Sequence, residues 1–308
     1  MSEIISNRAE LLFLYDVKDA NPNGDPLDEN KPRIDEESGV NIVTDVRLKR
    51  TIRDYLHDFK DEEIFVREIC YDEKAGYIQD GKMRAKNFDE DAEKIREKCI
   101  DIRLFGGVIP LTNASITYTG PVQFKMGRSL HRVAMKHIKG TGAFASKEKS
   151  KQATFREEDI LPYSLILFYG IINENAAKHT KLTDADVSLL LDAIWNGTKN
   201  LISRSKVGQI PKLLLKVNYK EDNYHIGDLN NRDMVSIISD LRDEEIRDIT
   251  QVKLDITGLL KVLESNKEKI SGIDYKADDR LSFVCNGVEK SLTDCLSDTG
   301  ISLNQLTL

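Results

Sequence analysis

Residues 19–53 read DANPNGDPLDENKPRIDEESGVNIVTDVRLKRTIR, a long polar connection that empties into a basic helix. Asn21-Pro22-Asn23-Gly24-Asp25-Pro26 is turn chemistry. Two prolines remove donors and fix φ while Asn, Asp and Gly close turns, so the segment is neither helix nor central strand. Thr44 suits an N-cap and Asp45 the first turn of a helix. Leu48, Ile52, Tyr55, Leu56 and Phe59 recur at helical spacing and predict one apolar stripe over 45–59. Arg47, Lys49, Arg50 and Arg53 supply the basic charge, and Lys49, Arg50 and Arg53 lie off that stripe. Cations near a helix start oppose its dipole by roughly 0.3–1 kcal/mol each when exposed. A bound anion would offset that cost, because free N–H groups and cations then face the same charge. A solvated helix face is the competing reading. The structureless connection in front favours the anion, since long loops inside compact domains are usually functional or disordered.

Outward from this stretch the chain alternates strand and helix. Glu10–Val17 reads as a strand with Leu11, Phe13, Tyr15 and Val17 on one face. Residues 60–100 are charged, with a helix expected at 89–99, and read as an insertion. Over Ser115–Met126, Ile116, Tyr118, Val122 and Phe124 alternate with polar residues until Gly120-Pro121 interrupts. Residues 127–156 suit an arm or hairpin, Leu161–Asn173 a buried strand, Asp184–Ile202 an amphipathic helix and Pro211–Tyr219 a further strand. The last third mixes helix (255–269), strand (280–285) and helix (290–297). Strand, helix, strand, strand, helix, strand is an α+β, ferredoxin-like plan carrying large insertions. RNA-recognition domains use such a sheet to bind single strands.

The 308 residues are 40% hydrophobic and 31% charged, ordinary for a soluble globular protein. No apolar run reaches membrane-spanning length, and the N-terminus lacks a signal pattern. Cys70, Cys99, Cys285 and Cys295 show no paired metal spacing and are expected as reduced thiols in a cytoplasmic protein. The net charge of −7 is unevenly spread. From Lys125 to Arg156 nine Lys or Arg face one acid, Glu148, a local charge of +8 that leaves −15 on the remainder. That asymmetry suggests an anion-binding surface on an otherwise repellent body.

Metal and nucleophile motifs are weak. Asp19-x-Asn21-x-Asn23-Gly24 mimics a calcium loop, but its twelfth position is Asn30 instead of a bidentate Glu, and the prolines stiffen it. The five histidines form no HExxH or Cys/His cluster; His131 and His137 sit in the basic arm, solvated or facing RNA. No P-loop or nucleophile elbow is present. No cofactor and no metal is expected. Asp16, Asp19, Asp25 and Asp28 either close turns or hold magnesium for phosphodiester cleavage. In Ser203-Arg204-Ser205-Lys206 the cations either cap a helix end or contact phosphate.

Asn21–Pro26, Pro32-Arg33 and Val43-Thr44-Asp45-Val46-Arg47-Leu48-Lys49-Arg50 together resemble the CRISPR-associated backbone subunits of Cascade, type I-B (Hmari, Csh) branch. Asp101–Gly107 (DIRLFGG), Gly120–Gln123 (GPVQ) and Arg204–Gln209 (RSKVGQ) resemble further blocks of that family, in order. The resemblance implies a hand. An RRM-like palm (8–59, 101–130, 160–230) carries a finger insertion (60–100) and a basic thumb hairpin (131–160), with a C-terminal α/β extension (231–308). It further implies copies polymerised along CRISPR RNA, each thumb kinking the guide so that open segments pair with target DNA. RNA contacts implied are Asn21, Asn23, Thr44, Arg47, Lys49, Arg50 and Arg53 in the palm. Gln123, Lys125 and Arg128 would follow at a strand end, then His131, Arg132, Phe144 (an apolar wedge), Lys147, Lys149 and Lys151 in the thumb. Arg204 and Lys206 complete the set. Implied partners are CRISPR RNA, a target DNA strand, further copies, and the large, 5′-handle-binding and RNA-processing Cascade subunits. Recognition would run through the backbone, since any spacer sequence must be accepted. Two alternatives remain: a metal-dependent ribonuclease of the type III kind using Asp25 or Asp28, and an acidic protein whose basic arm binds a protein partner.

Overall fold

A computed structural model describes residues 3–112, 114–145, 153–220 and 223–308, and side chains outside 141–156. In chain order the strands of its main sheet are β1 (Ala9–Ala20), β2 (Val40–Val43), β3 (Val122–Phe124), β4 (Gly127–Arg132), β5 (Lys136–Ala145), β6 (Ala153–Ile172), β7 (Gln209–Tyr219), β8 (Ile270–Ala277) and β9 (Leu303–Gln305). Two helices matter most, α1 (Asp45–Lys60) and α2 (Asp184–Asp192), the latter continuing into a π-helical turn, Ala193–Gly197. The sheet runs β9-β8-β7-β1-β6-β4-β2, with β3 and β5 also on β6. All pairings are antiparallel except β8 with β9.

β1 is apolar on both faces because both are covered. Leu11, Phe13, Tyr15 and Val17 face α1 and α2 in one core, with Leu48, Ile52, Tyr55, Leu56, Leu190 and Ile194. Leu12 and Leu14 face the other way, into a second core with Leu165, Leu167, Leu213 and Leu215. The lid of this second core is the C-terminal region, with Leu229, Leu254, Leu259, Leu263, Phe283 and Leu296. A third, small core gathers Phe65, Phe88, Ile95, Cys99, Ile102 and Ile109.

Several expectations change here. The connection before α1 is built: Gly24-Asp25 pairs with Lys31-Pro32, and Ile34 bridges to Asn41. Its glycine has no room for a side chain, since a Cβ on Gly24 would sit 2.6 Å from the Asn30 backbone oxygen. Phe59 leaves the stripe and is 58% exposed, stacked on Tyr55. The alternation over 115–126 belongs to two sheets: Ser115–Thr119 pairs with Gly106–Pro110, while β3 joins β6. Gly120 marks the parting, pressed so close that a Cβ would meet the Phe105 carbonyl carbon at 2.0 Å. Cys285 and Cys295 are not reduced thiols but a disulfide, Cα–Cα 6.1 Å. Cys70 and Cys99 are free. The C-terminal region covers the second face of the sheet over β8, β7, β1 and β6.

Candidate nucleic-acid interface

Thr44 caps α1, its hydroxyl accepting from Arg47 N at 3.3 Å. Asn23 holds the cap in turn: its Oδ1 accepts Thr44 N at 2.8 Å and Thr44 Oγ1 at 2.9 Å. Asn21 is buried and braces the loop, donating to Asn30 O at 2.7 Å, while its Oδ1 has no partner. Both asparagines shape the connection.

A distant segment closes on the start of that connection. Asn21 N donates to Ser205 O (2.9 Å) and Lys18 N to Gly208 O (3.1 Å), pinning the 203–208 loop to the end of β1. Gly208 has φ +100° and would place a Cβ 2.5 Å from Lys18 O, so no larger residue fits the pin. Lys206 is thereby carried over Asn21, whose carbonyl oxygen accepts its ammonium. Burial pushes Lys206 down to about 8, and neighbouring Arg47 adds to the fall. Arg47 donates to Thr51 Oγ1 at 3.0 Å, feels the charges of Asp54 and Tyr15, and leaves its Nε buried without a partner. Burial lowers its pKa too. Neither cation forms an ion pair with a carboxylate among the described residues. Two half-buried positive charges and an orphaned guanidinium N–H thus lie near one another with no carboxylate in ion-pair contact; the acid that acts on Arg47, Asp54, is paired with Arg50. Such a group of cations is expensive unless an anion joins it.

The other basic residues are differently placed. Lys49 is engaged by Asp45 (3.1 Å) and Gln123 Oε1 (3.0 Å) and lies 5.7 Å over Phe105. Arg50 is exposed, with Asp54 at 2.7 Å, an arrangement worth little and easily exchanged. Arg53 is a correction: its partner Asp101 is fully buried and its guanidinium stacks 5.0 Å over Phe105. It ties α1 to the insertion and does not present charge outward. His131 is likewise a core residue, 1% exposed, stacked on Tyr163 and accepting or donating at both ring nitrogens. Burial lowers its pKa, so it faces no RNA. Arg132 meets the exposed Glu244 (3.5 Å) and Arg204 the half-buried Glu158 (2.7 Å), while Lys125 pairs with Asp228 and Arg128 with Asp35 (3.4 Å). His137, Lys139 and Arg204 contact Glu157, Glu158 and Asp159, so the hairpin's base is acidic one residue beyond the basic window.

β5 and β6 pair from Lys136–Ile160 outward to Ala145–Ala153, building the expected arm as a hairpin. The Phe144 side chain, Lys147, Lys149 and Lys151 lie outside the described residues. Asp25 accepts from Leu27 N (3.0 Å) and pairs with Arg33 (2.8 Å), and Asp28 pairs with Lys31 (2.7 Å). Both carboxylates close the turn. Among the described residues no three His, Cys, Asp or Glu side chains are grouped to hold a metal.

The family model for CRISPR-associated protein Cas7 matches residues 7–257. The chain belongs to the Cas7 family. A curated relative, the CRISPR-associated protein Cas7 of Haloferax volcanii, is 33% identical over 304 residues, covering 89% of this chain and 88% of the relative. Among solved structures, a chain of a "CRISPR RNA-guided surveillance complex, pre-nicking" superposes with TM-score 0.52 at 9% identity, covering 95% of this chain and 99% of its own. A chain of a "CRISPR RNA-guided surveillance complex" gives 0.51 at 13% identity, covering 95% and 98%. At those identities the likeness is one of fold: a mixed α/β molecule with a large sheet. Within this Cas7 chain the family-like blocks have local reasons. DIRLFGG supplies Asp101 for Arg53 and Arg103 for Asp186 (2.9 Å), and RSKVGQ supplies Lys206. The Arg47–Lys206 pairing escaped the sequence reading, which rated capping and phosphate contact equal at 203–206; only the long-range pin to β1 brings the two cations together.

Proposed function

We propose that this Cas7-family chain is a non-catalytic backbone subunit that binds CRISPR RNA in a type I-B surveillance complex, polymerises along the guide and presents it to target DNA. On this reading the four strands β7-β1-β6-β4 with α1 and α2 form an RRM-like palm. The insertion around 60–100 forms fingers and the β5–β6 hairpin a thumb, in a cytoplasmic assembly with further Cascade subunits. The observation that carries it is the pairing of Lys206, held over Asn21, with a half-buried Arg47 near the start of α1 whose Nε has no partner, neither cation being in ion-pair contact with a carboxylate among the described residues. A phosphate there would accept from the orphaned Arg47 Nε, satisfy two desolvated cations and complement the helix dipole. Because none of these groups reads a base edge, the contact suits a guide of any sequence.

The test is guide retention. Arg47→Ala combined with Lys206→Ala is expected to strip small RNA from the purified protein, lowering its 260/280 nm absorbance ratio to that of protein alone. A full RNA complement in the double variant would overturn the assignment. Magnesium-dependent, regularly spaced cleavage of complementary RNA, lost in Asp25→Ala, would favour the ribonuclease instead.

A further inference from the structure

Lys206 stands apart from the paired lysines. Lys212, 1% exposed, lies between Asp16 (3.6 Å) and Asp278 (3.5 Å), and the half-buried Lys216 has Asp274 at 3.0 Å. Lys60 and Lys253 hold Asp192 and Glu289 at 2.6 Å each, and hydrogen bonding to those carboxylates raises both pKa values. Each of these ammonium groups is kept charged by an acid. Lys206 donates instead to a neutral acceptor, the Asn21 carbonyl, and the charge that acts on it is the like charge of Arg47.

The chain holds the amine in that position. Lys206 N and Val207 N both donate to Ser203 O, at 3.1 and 2.8 Å, and the Ser205 and Gly208 carbonyls are pinned to Asn21 N and Lys18 N. A turn fixed at both ends thus keeps the amine on Asn21 and near Arg47, whose Nε is buried without a partner. Burial and Arg47 bring the amine down to about 8, so roughly a tenth of it is the neutral nucleophile at pH 7. An ordinary lysine offers roughly a few parts in ten thousand. The surroundings also select the product. An anionic adduct would gain Arg47 as a partner, whereas a neutral amide would leave the guanidinium N–H unmet. A half-buried amine favours a small electrophile over a bulky acyl carrier.

We propose that Lys206 is a carbamylation site in the guide-free chain, with carbon dioxide as the reagent. The lone pair of the neutral Nζ attacks the carbon of CO2. A C–N bond forms, one C=O bond opens to a carboxylate, and the nitrogen gives up a proton to water. No oxidant, reductant or group donor enters the balance. The carbamate N–H continues to donate to Asn21 O, and its oxygens accept from Arg47 Nε. The regulatory consequence rests on the proposed function: a cation shared with phosphate becomes an anion that repels it, so CO2 and guide exclude each other.

The full chain is prepared from cells lacking a CRISPR array, and its freedom from RNA is checked by its 260/280 nm absorbance ratio. It is equilibrated with carbon-13 bicarbonate at about pH 8, treated with a trialkyloxonium salt that esterifies carbamates before they revert, and mapped by peptide mass spectrometry. Label is expected on Lys206, and is expected to vanish when guide RNA is added first. The chain's α-amino group, which titrates near 8 in any protein, is the internal control. Arg47→Gln should lower Lys206 labelling about tenfold and leave the α-amino label unchanged. At half occupancy the apparent guide Kd should rise about twofold at constant ionic strength. That bicarbonate dependence should be absent in Lys206→Arg, which forms no carbamate. Label on the α-amino group alone would overturn the inference. Label kept on Lys206 after guide loading would overturn the exclusion of guide by CO2. If Arg47→Ala/Lys206→Ala also keeps its guide, the guide-site reading fails and the modification site stands on its own.

Discussion

Asp101 shows how one buried charge decides what a cation is for. Its oxygens take Phe65 N (2.7 Å), Val66 N (3.0 Å) and Arg53 Nε (3.0 Å), with no exposure to solvent. Asp101→Ala leaves Arg53 uncompensated and two amides unpaired, and is expected to cost about 3–5 kcal/mol in urea unfolding. Arg50→Ala, in an exposed pair, should cost under about 1 kcal/mol. Asp16 behaves differently. Burial raises its carboxyl from 3.8 to about 6 despite Lys212, whose ammonium lies 3.6 Å away. The folded state therefore holds this proton more tightly than the unfolded chain. Its contribution to stability is fully present below pH 4 and is lost as pH rises toward 6. Relative to Asp16→Asn, the wild type should lose about 3 kcal/mol between pH 4 and 7. Urea midpoints of both proteins across that range check it, and a pH-independent difference would show that Asp16 is not buried in this way.

At the scale of elements, α1 was legible because its signals are local: a Thr44 cap, an acid after it and apolar residues every three or four positions. The same locality explains the failure at Phe59, whose spacing is right but whose turn of helix has passed the edge of the sheet. Arg53 was unreadable as a structural cation because its partner lies 48 positions away. β8 went unmarked: ISGIDYKA holds a glycine and three polar residues, and its place comes from pairing with β7 and burial of Ile273 and Tyr275. The basic count over 125–156 was correct as arithmetic but not as a surface. Folding sends Lys125 and Arg128 to one face, places the arm's base beside Glu157–Asp159, and leaves the decisive pair, Arg47 and Lys206, outside or on separate elements.

For the whole molecule, the C-terminal region is a wall of the core. It covers Leu12, Leu14, Leu165, Leu167, Leu213 and Leu215, each worth roughly 1.5–3 kcal/mol when fully buried. A chain ending at residue 230 is expected to be recovered in the insoluble fraction on expression; a soluble, cooperatively melting fragment would contradict this account of the second core. β6 joins arm and core in a single run from Ala153 to Ile172. Twenty extended residues make a girder about 65 Å long. Its inner half is riveted between β1 and β4 while its outer half pairs with the arm's outgoing strand, β5. Such an arm has no joint at its shoulder. Torque on the described part of the arm passes as twist into the middle of the sheet, so if copies assemble as proposed, a change of pitch must be absorbed where one molecule meets the next.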